Sequence, residues 1–286
     1  VTQSAVSNAL ARLREAFADP LVVRSGRGLV PTPRAREIAP HLAAAIAQLE
    51  QAVRGSGFDP ARTTRTFAIA CSDNHQLSEM PKVARLFAER MPEATLRVVS
   101  VEYAIASGGL AQGELEAILG PEGAAGPGER FEPLFEERAA VVARRGNREV
   151  GAAIDRARFN ELPWVDVHLA LGRGGVGNRM AFEAMAAAGL QPRVRLQVPS
   201  FMAAAAVVAQ GDAIAGMPHR FAEAASALLP LRIVASPLPP MPMVMGLIWH
   251  ERTDADEGSR CFRALVAEAL RAPDAPRERR RSPRRR

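Results

Sequence analysis

Cysteine is scarce: Cys71 and Cys261 are the two in 286 residues. Two thiols so far apart build no disulfide framework and have no metal-ligand spacing. The five histidines have no such spacing either. Lysine is nearly missing, with Lys82 alone against abundant Arg and Ala, a pattern that points to codon bias rather than function. Long apolar runs are absent. The longest candidate, FMAAAAVVA at 201–209, is alanine-rich and well short of the ~18 residues of a membrane span. No secretory signal is visible, so a soluble cytoplasmic protein is expected. No Ser/His/Asp triad and no carboxylate pair stands out, so neither an enzyme nor a cofactor is expected.

Charge is present but uneven. The net charge is +6. Residues 271–286 supply +6 of it and residues 1–36 supply +4, which leaves 66–270 at about −4. The tail APRERRRSPRRR is of low complexity, and 272–286 is expected to be disordered. It reads either as a solvated terminus or as a source of non-specific phosphate affinity.

The chain starts on an amphipathic helix. Val6, Leu10, Leu13 and Phe17 recur at spacings of four, three and four, one stripe of a helix, with Thr2 as its N-cap. The outer side carries Gln3, Ser4, Ser7, Asn8 and Arg12. Gln and Asn pair with adenine, Arg with guanine, and Ser with bases or phosphates. An ordinary solvated face is the alternative. Asp19-Pro20 ends the helix, and Leu21–Arg24 and Leu29–Pro31 flank Ser25-Gly26-Arg27-Gly28 as a hairpin with Arg24 and Arg27 near its tip. A base-reading helix followed by a small basic hairpin is a winged helix-turn-helix arrangement.

Thr32-Pro33 starts a second helix. Ile38, Leu42, Ala45, Leu49 and Ala52 form a seam of period 3.5 that fits a helix pair, and Gly55-Ser56-Gly57 ends it. From Thr66 onward strands and helices alternate, which argues an α/β protein with largely parallel sheets. TFAIACS, ATLRVVSVE, LEAILGP, FEERAAVVARR, WVDVHLALG, VRLQVPS, AIAGMP and MVMGLIWH read as strands. Ligands of such sheets bind beyond the carboxyl ends of strands. Those ends are Ser72-Asp73-Asn74, Ser100–Tyr103, Gly120-Pro121, Ser200-Phe201 and Met217-Pro218. The hydroxyls of Ser72 and Ser200, with nearby helix-start amides, suit a carboxylate or phenolate, or are plain helix caps. Phe201, Tyr103 and Met217 suit apolar walls, or are core.

Two motifs invite other readings. GRGGVG at 172–177 matches a dinucleotide fingerprint, but the next strand, VRLQVPS, lacks the acid that motif wants. Cys71 near His75 suggests a thiol nucleophile, but it lies in an apolar strand and reads as a buried structural thiol.

The run TQSAVSNALARLREAFADPLVVRSGRGLVPTPRA resembles the second half of the DNA-binding domain of LysR-type transcriptional regulators, in the subfamily of nodulation and chlorinated-aromatic-degradation regulators. VPSFMAAAAVVAQGDAIAGMPHRFA resembles that subfamily's second effector lobe. The resemblance implies a partial winged helix-turn-helix at 1–32, a dimerising linker helix at 33–54, and a two-lobed effector domain similar to periplasmic binding proteins. It puts the first lobe at 66–143 with 252–271 and the second at 144–251. It also implies that the working protein carries further N-terminal helices that pack on Val6, Leu10, Leu13 and Phe17. The implied function is ligand-responsive binding to double-stranded promoter DNA as a homodimer or homotetramer. The alternative is a small-molecule-binding module without DNA activity. Base readout falls to Gln3, Ser4, Ser7 and Asn8, with phosphates held by Arg24, Arg27 and Thr32. A small-molecule effector, aromatic or a carboxylate, sits between the lobes at Ser72, Asp73, Tyr103, Gly120, Ser200, Phe201 and Met217. The sequence departs from the family at 144–148, where RRGNR replaces a His-Pro crossover, and at Asn8, where many relatives have Arg.

Overall fold

Helix α1 (Gln3–Phe17) ends where Ala18 turns left-handed, with φ 48°. The chain is described here from a computed structural model over residues 2–26, 28–54, 57–168, 176–239 and 241–271. It divides into two units, Val1–Gly57 and Phe58–Arg286.

In the first unit, α1 leads into an antiparallel hairpin, β1 (Val22–Ser25) and β2 (Gly28–Pro31), and then α2 (Pro33–Arg54). Asp19 ties these parts together. Its Oδ1 accepts from the Leu21 amide at 2.6 Å and from the Thr32 hydroxyl at 2.7 Å. Thr32 in turn accepts from the Ala35 amide at 3.1 Å, capping α2. Leu21, at φ 62°, is held in this uncommon conformation by Asp19 and by the Thr32 amide bonding its carbonyl at 2.9 Å. Asp19→Ala is expected to cost about 1–3 kcal/mol and to speed amide exchange at Leu21. Unchanged protection there would count against the tie. Thr2 occupies the N-cap position of α1, but its hydroxyl pairs with Ser4 Oγ at 3.1 Å instead of an amide. The expected apolar stripe is present but little covered: Leu10 and Phe17 are half-buried, and Val6 and Leu13 are exposed. On α2, Leu42, Ile46 and Leu49 are exposed as well.

The second unit holds two five-stranded sheets. β3 (Thr66–Ala70), β4 (Thr95–Val99), β5 (Ala117–Pro121), β6 (Glu129–Glu137) and β12 (Met243–His250) form the first, in the order β4-β3-β5-β12-β6. β7 (Ala139–Arg144), β8 (Pro163–Val167), β9 (Arg193–Val198), β10 (Ile214–Pro218) and β11 (Leu231–Val234) form the second, in the order β11-β7-β10-β8-β9. Helices α3 (Asp73–Ser78), α4 (Met80–Arg90), α5 (Val101–Ala106), α6 (Gly109–Gln112) and α11 (Glu257–Arg271) belong with the first sheet. Helices α7 (Arg156–Glu161), α8 (Val176–Ala187), α9 (Phe201–Gln210) and α10 (His219–Leu228) belong with the second.

The strand order moves the expected lobe boundaries. FEERAAVVARR is two strands, because the chain leaves the first sheet at Glu137 and enters the second at Ala139. Residues 139–143, expected in the first lobe, pair with β10 and β11 in the second. β12, expected in the second lobe, pairs with β5 and β6 in the first. Its apolar run suits either sheet by pattern, and its ladder partners decide. The sheets are also mixed rather than largely parallel, since β6, β7, β11 and β12 all run antiparallel to their neighbours. At the bulge in β12 a side chain on Gly246 would collide with the Glu132 carbonyl and the Phe131 ring, so glycine is required there.

Each lobe has its own core. Phe67, Phe87 and Phe262 centre the first, with Phe67 and Phe262 stacked at 5.2 Å between centroids. Val142, Val165, Ala205, Val208 and Phe221 lie in the second, and Leu77 of α3 packs against that core from the first lobe. Helix α3 is therefore where the lobes meet.

Candidate functional site

The first candidate surface is on α1. Gln3, Ser4, Ser7 and Asn8 are all exposed, and their three- and four-residue spacing keeps them on one side of the helix. Arg24 is exposed in the hairpin, opposite Leu29. Arg27 lies outside the described residues, as do residues 272–286 and most of GRGGVG. Thr32 differs from its expected role. It is 9% exposed and its hydroxyl proton goes to Asp19, so it fastens the hairpin to α2 rather than facing a phosphate.

The second surface is the junction of the lobes. Ser72 precedes α3 and Ser200 caps α9. Between them sits Asp73, whose Oδ2 accepts from Ser200 Oγ at 2.7 Å and from the Met202 amide at 2.8 Å. Ser200 Oγ also accepts from the Ala203 amide at 3.1 Å. The Ser72 hydroxyl turns back on its own helix, donating to Asn74 Oδ1 at 2.6 Å beside His75 Nδ1 at 3.1 Å. Phe201 lies near Phe221, with ring centroids 5.9 Å apart. Ser72, Asp73, Ser200 and Phe201 thus lie together at this junction. Tyr103, Gly120 and Met217 are placed differently. Tyr103 on α5 has the Arg97 guanidinium 5.8 Å from its ring. Gly120 is buried within β5, where a side chain would press on Ile248. Met217 is 3% exposed in the second lobe's core.

A second carboxylate repeats the geometry of Asp73. Glu137, at the end of β6, accepts on Oε1 from the amides of Arg138 at 2.9 Å, His219 at 3.1 Å and Arg220 at 3.4 Å. It thereby holds the start of α10. The Arg220 guanidinium lies 4.1 Å over the Phe135 ring and 3.8 Å from Glu79 Oε1. Glu79 is buried and takes a hydrogen bond from Ser78 on its other oxygen. Burial, reinforced by nearby Glu137, pushes the Glu79 carboxyl up to about 7, against the pull of the Ser78 bond, Arg220 and Lys82. Burial also raises Glu137. His75, buried beside Phe135, is pushed down to about 4 by burial and the Arg220 charge, so it stays neutral. Asp73 Oδ1, His75 Nε2, Glu79 Oε1 and Glu137 Oε2 are buried with no hydrogen-bond partner.

Sequence reasoning missed Glu79, Glu137 and Arg220, and weighed His75 only beside Cys71. An acid beside Ser78 and an acid in the run Glu136-Glu137-Arg138 look like solvated positions, yet both are buried. Cys71 agrees with its structural reading. It is fully buried, and burial, with smaller effects from Glu79 and Asp73, pushes its thiol up to about 12. Among the described residues no group of His, Cys, Asp or Glu is arranged to hold a metal ion. No helix among them is long and apolar enough to cross a membrane.

Comparison with known proteins adds the following. Residues 60–271 match the LysR substrate binding domain, and residues 1–36 match the bacterial regulatory helix-turn-helix protein model of the lysR family. The chain is similar to the HTH-type transcriptional activator NagR of a Ralstonia species, 31% identical over 94% of this chain and 88% of that one. It is similar to the transcriptional regulator SyrM of Rhizobium etli, 30% identical over 94% of this chain and 79% of the relative. Among solved structures, a probable transcriptional regulator from Pseudomonas aeruginosa superposes with a TM-score of 0.65 at 26% identity, covering 93% of this chain and 87% of that one. Both curated relatives are transcriptional regulators.

Proposed function

The chain belongs to the LysR family of ligand-responsive transcriptional regulators, and from that premise we propose which of its residues read DNA and where its effector sits. Gln3, Ser4, Ser7 and Asn8 contact base edges in the major groove, and Arg24 and Arg27 hold phosphates. The observation that carries this is the exposure of the whole Gln3–Asn8 polar face, with exposed Arg24 on the hairpin that follows. The exposed Leu42, Ile46 and Leu49 of α2 support pairing with a second copy. Such a dimer, or a tetramer of two, matches repeated half-sites on DNA in the cytoplasm. The effector is a small molecule held between the lobes around Ser72, Asp73, Ser200 and Phe201, with no catalytic step. It acts by binding one arrangement of the lobes better than another.

The test is a gel-shift titration on DNA from upstream of the protein's own gene, with excess competitor and a salt series. Specific binding is expected to survive competitor and to fall with salt by about −0.9 in log–log slope per neutralised phosphate. Arg24→Ala is expected to weaken all sequences alike and to reduce the slope by about one. Asn8→Ala is expected to relax preference at one base pair, worth about 1–3 kcal/mol. An Asn8→Ala protein with unaltered affinity and sequence preference would sink the assignment of α1 as the reading helix. Binding that vanishes on deletion of 272–286 would assign it to the arginine tail instead.

A further inference from the structure

One face of α11 borders a groove on the first lobe. Arg260, Arg263, Ala264, Ala267, Glu268 and Arg271 follow one another at helical spacing and share that face. Opposite them stand Glu132 of β6 and Trp249 of β12, and between helix and strands lies an open cavity of about 440 Å³. Small-molecule sites run from about 300 to about 1,000 Å³. The short side chains of Ala264 and Ala267 leave the space, and Trp249 walls it. Ser72, Asp73, Ser200 and Phe201 of the lobe junction do not line it.

The charges of the groove are unevenly matched. Arg271 pairs with Glu132 at 2.7 Å, and Arg90 pairs with Glu268 at 3.3 Å, so both acids already have a cation. Arg263 is 6% exposed and lies 4.8 Å over the Trp249 ring. It donates to the Thr253 hydroxyl at 3.0 Å and to the Thr253 carbonyl at 3.3 Å, and among the described residues no carboxylate pairs with it. Burial lowers its pKa in spite of the longer-range pull of Asp254, Glu116, Asp256 and Glu132. Arg260, exposed and one turn away, makes no side-chain hydrogen bond or ion pair among the described residues. A buried guanidinium without a carboxylate is costly, and a like charge three residues away adds to the cost. An anion in the groove relieves both, and a cation would add to them.

We infer that this groove is a second ligand site, separate from the lobe junction, for a small anion with an apolar body. Arg260 and Arg263 hold its oxyanion, and Trp249, Ala264 and Ala267 face its body. Such a ligand bridges α11 to β6 and β12, so its binding stabilises the first lobe.

The experiment uses the full chain and two fluorescent probes with the same ring system, 8-anilinonaphthalene-1-sulfonate and the uncharged N-phenyl-1-naphthylamine. Wild type is expected to bind the sulfonate about tenfold more tightly than the amine. Arg260→Gln is expected to weaken the sulfonate about threefold. Arg263→Gln is expected to weaken it about tenfold. Neither is expected to change the amine. Ala264→Leu fills the groove and is expected to weaken both probes. If Arg263→Gln does not fold, Arg260→Gln and Ala264→Leu carry the test, since both positions are exposed. Phe201→Ala is expected to change neither probe. The proposal is overturned if wild type fails to bind the sulfonate at millimolar concentration or binds the amine as tightly. Sulfonate affinity unchanged in Arg260→Gln or in Ala264→Leu overturns it as well. So does loss of binding in Phe201→Ala, which would put the probe at the lobe junction instead.

Discussion

Phe262→Ala is expected to lower the unfolding free energy of the first lobe by about 3–5 kcal/mol. Phe262 is fully buried, stacks on Phe67 at 5.2 Å and meets Phe87 edge-on at 6.0 Å. With Leu265, Val266 and Leu270 it packs α11 over β3 and α4, and α11 joins them from the far end of the sequence. Truncation removes the ring's own burial and strips two other rings of a partner, and a site walled by a sheet and two helices collapses little around the void. Amide exchange read by mass spectrometry is the check. Protection is expected to fall first in β3 and α11, while β8 and β10 of the second lobe keep theirs. A loss of stability below about 1 kcal/mol would mean that the three-ring cluster does not hold this helix.

Glu79→Gln is expected to gain stability relative to wild type as pH rises. The Glu79 carboxyl goes from its ordinary 4.5 to about 7 in the folded chain. Between those values the folded chain keeps a proton that the unfolded chain has released, so wild-type stability from this group is full below 4.5 and is lost as pH rises towards 7. At about 1.4 kcal/mol for each pH unit, the loss is on the order of 3 kcal/mol. His75 works in the other sense. Its stabilisation is present above 6.5 and is lost as pH falls towards 4, because the unfolded chain takes up a proton that the buried ring refuses. In wild type the Glu79 and His75 slopes oppose each other between 4.5 and 6.5. Glutamine removes the Glu79 slope and leaves the rest, so the stability of the variant relative to wild type rises from about pH 4.5 to about pH 7. Denaturant melts of both proteins at several pH values check this. Glu137, raised by the same burial, is present in both and largely drops out of the difference. A constant difference between the two proteins at all pH values would show that Glu79 titrates normally.

The acids at the lobe junction mark the limit of a one-dimensional reading. Ser72, Asp73, Ser200 and Phe201 were found because each follows a strand, and a strand's carboxyl end is a local feature. Their partners Glu79, Glu137 and Arg220 carry no such mark, and Glu137 sits in a charged stretch that reads as surface. The polar side of α1 and the hairpin were equally legible, since helix period and turn residues are written within a few residues of each other. Thr32 was half legible. Its capping role follows from the Pro33 beside it, whereas its bond to Asp19 spans 13 residues and needs the hairpin folded.

The sequence by itself determined the two helices and hairpin of the first unit, the alternation of strands and helices after Thr66, the family, and the exposed polar face of α1. These rest on periodicity, turn chemistry and long ungapped likeness, all properties of neighbouring residues. The tertiary structure alone decided that β12 returns to the first sheet, that β7 opens the second, and that Asp73 and Glu137 cap helices of the opposite lobe. An apolar strand pairs equally well with several edges, and a carboxylate shows its partner only when distant segments are brought within hydrogen-bond reach. Those choices are made by the packing of the whole chain, which no short window of sequence contains.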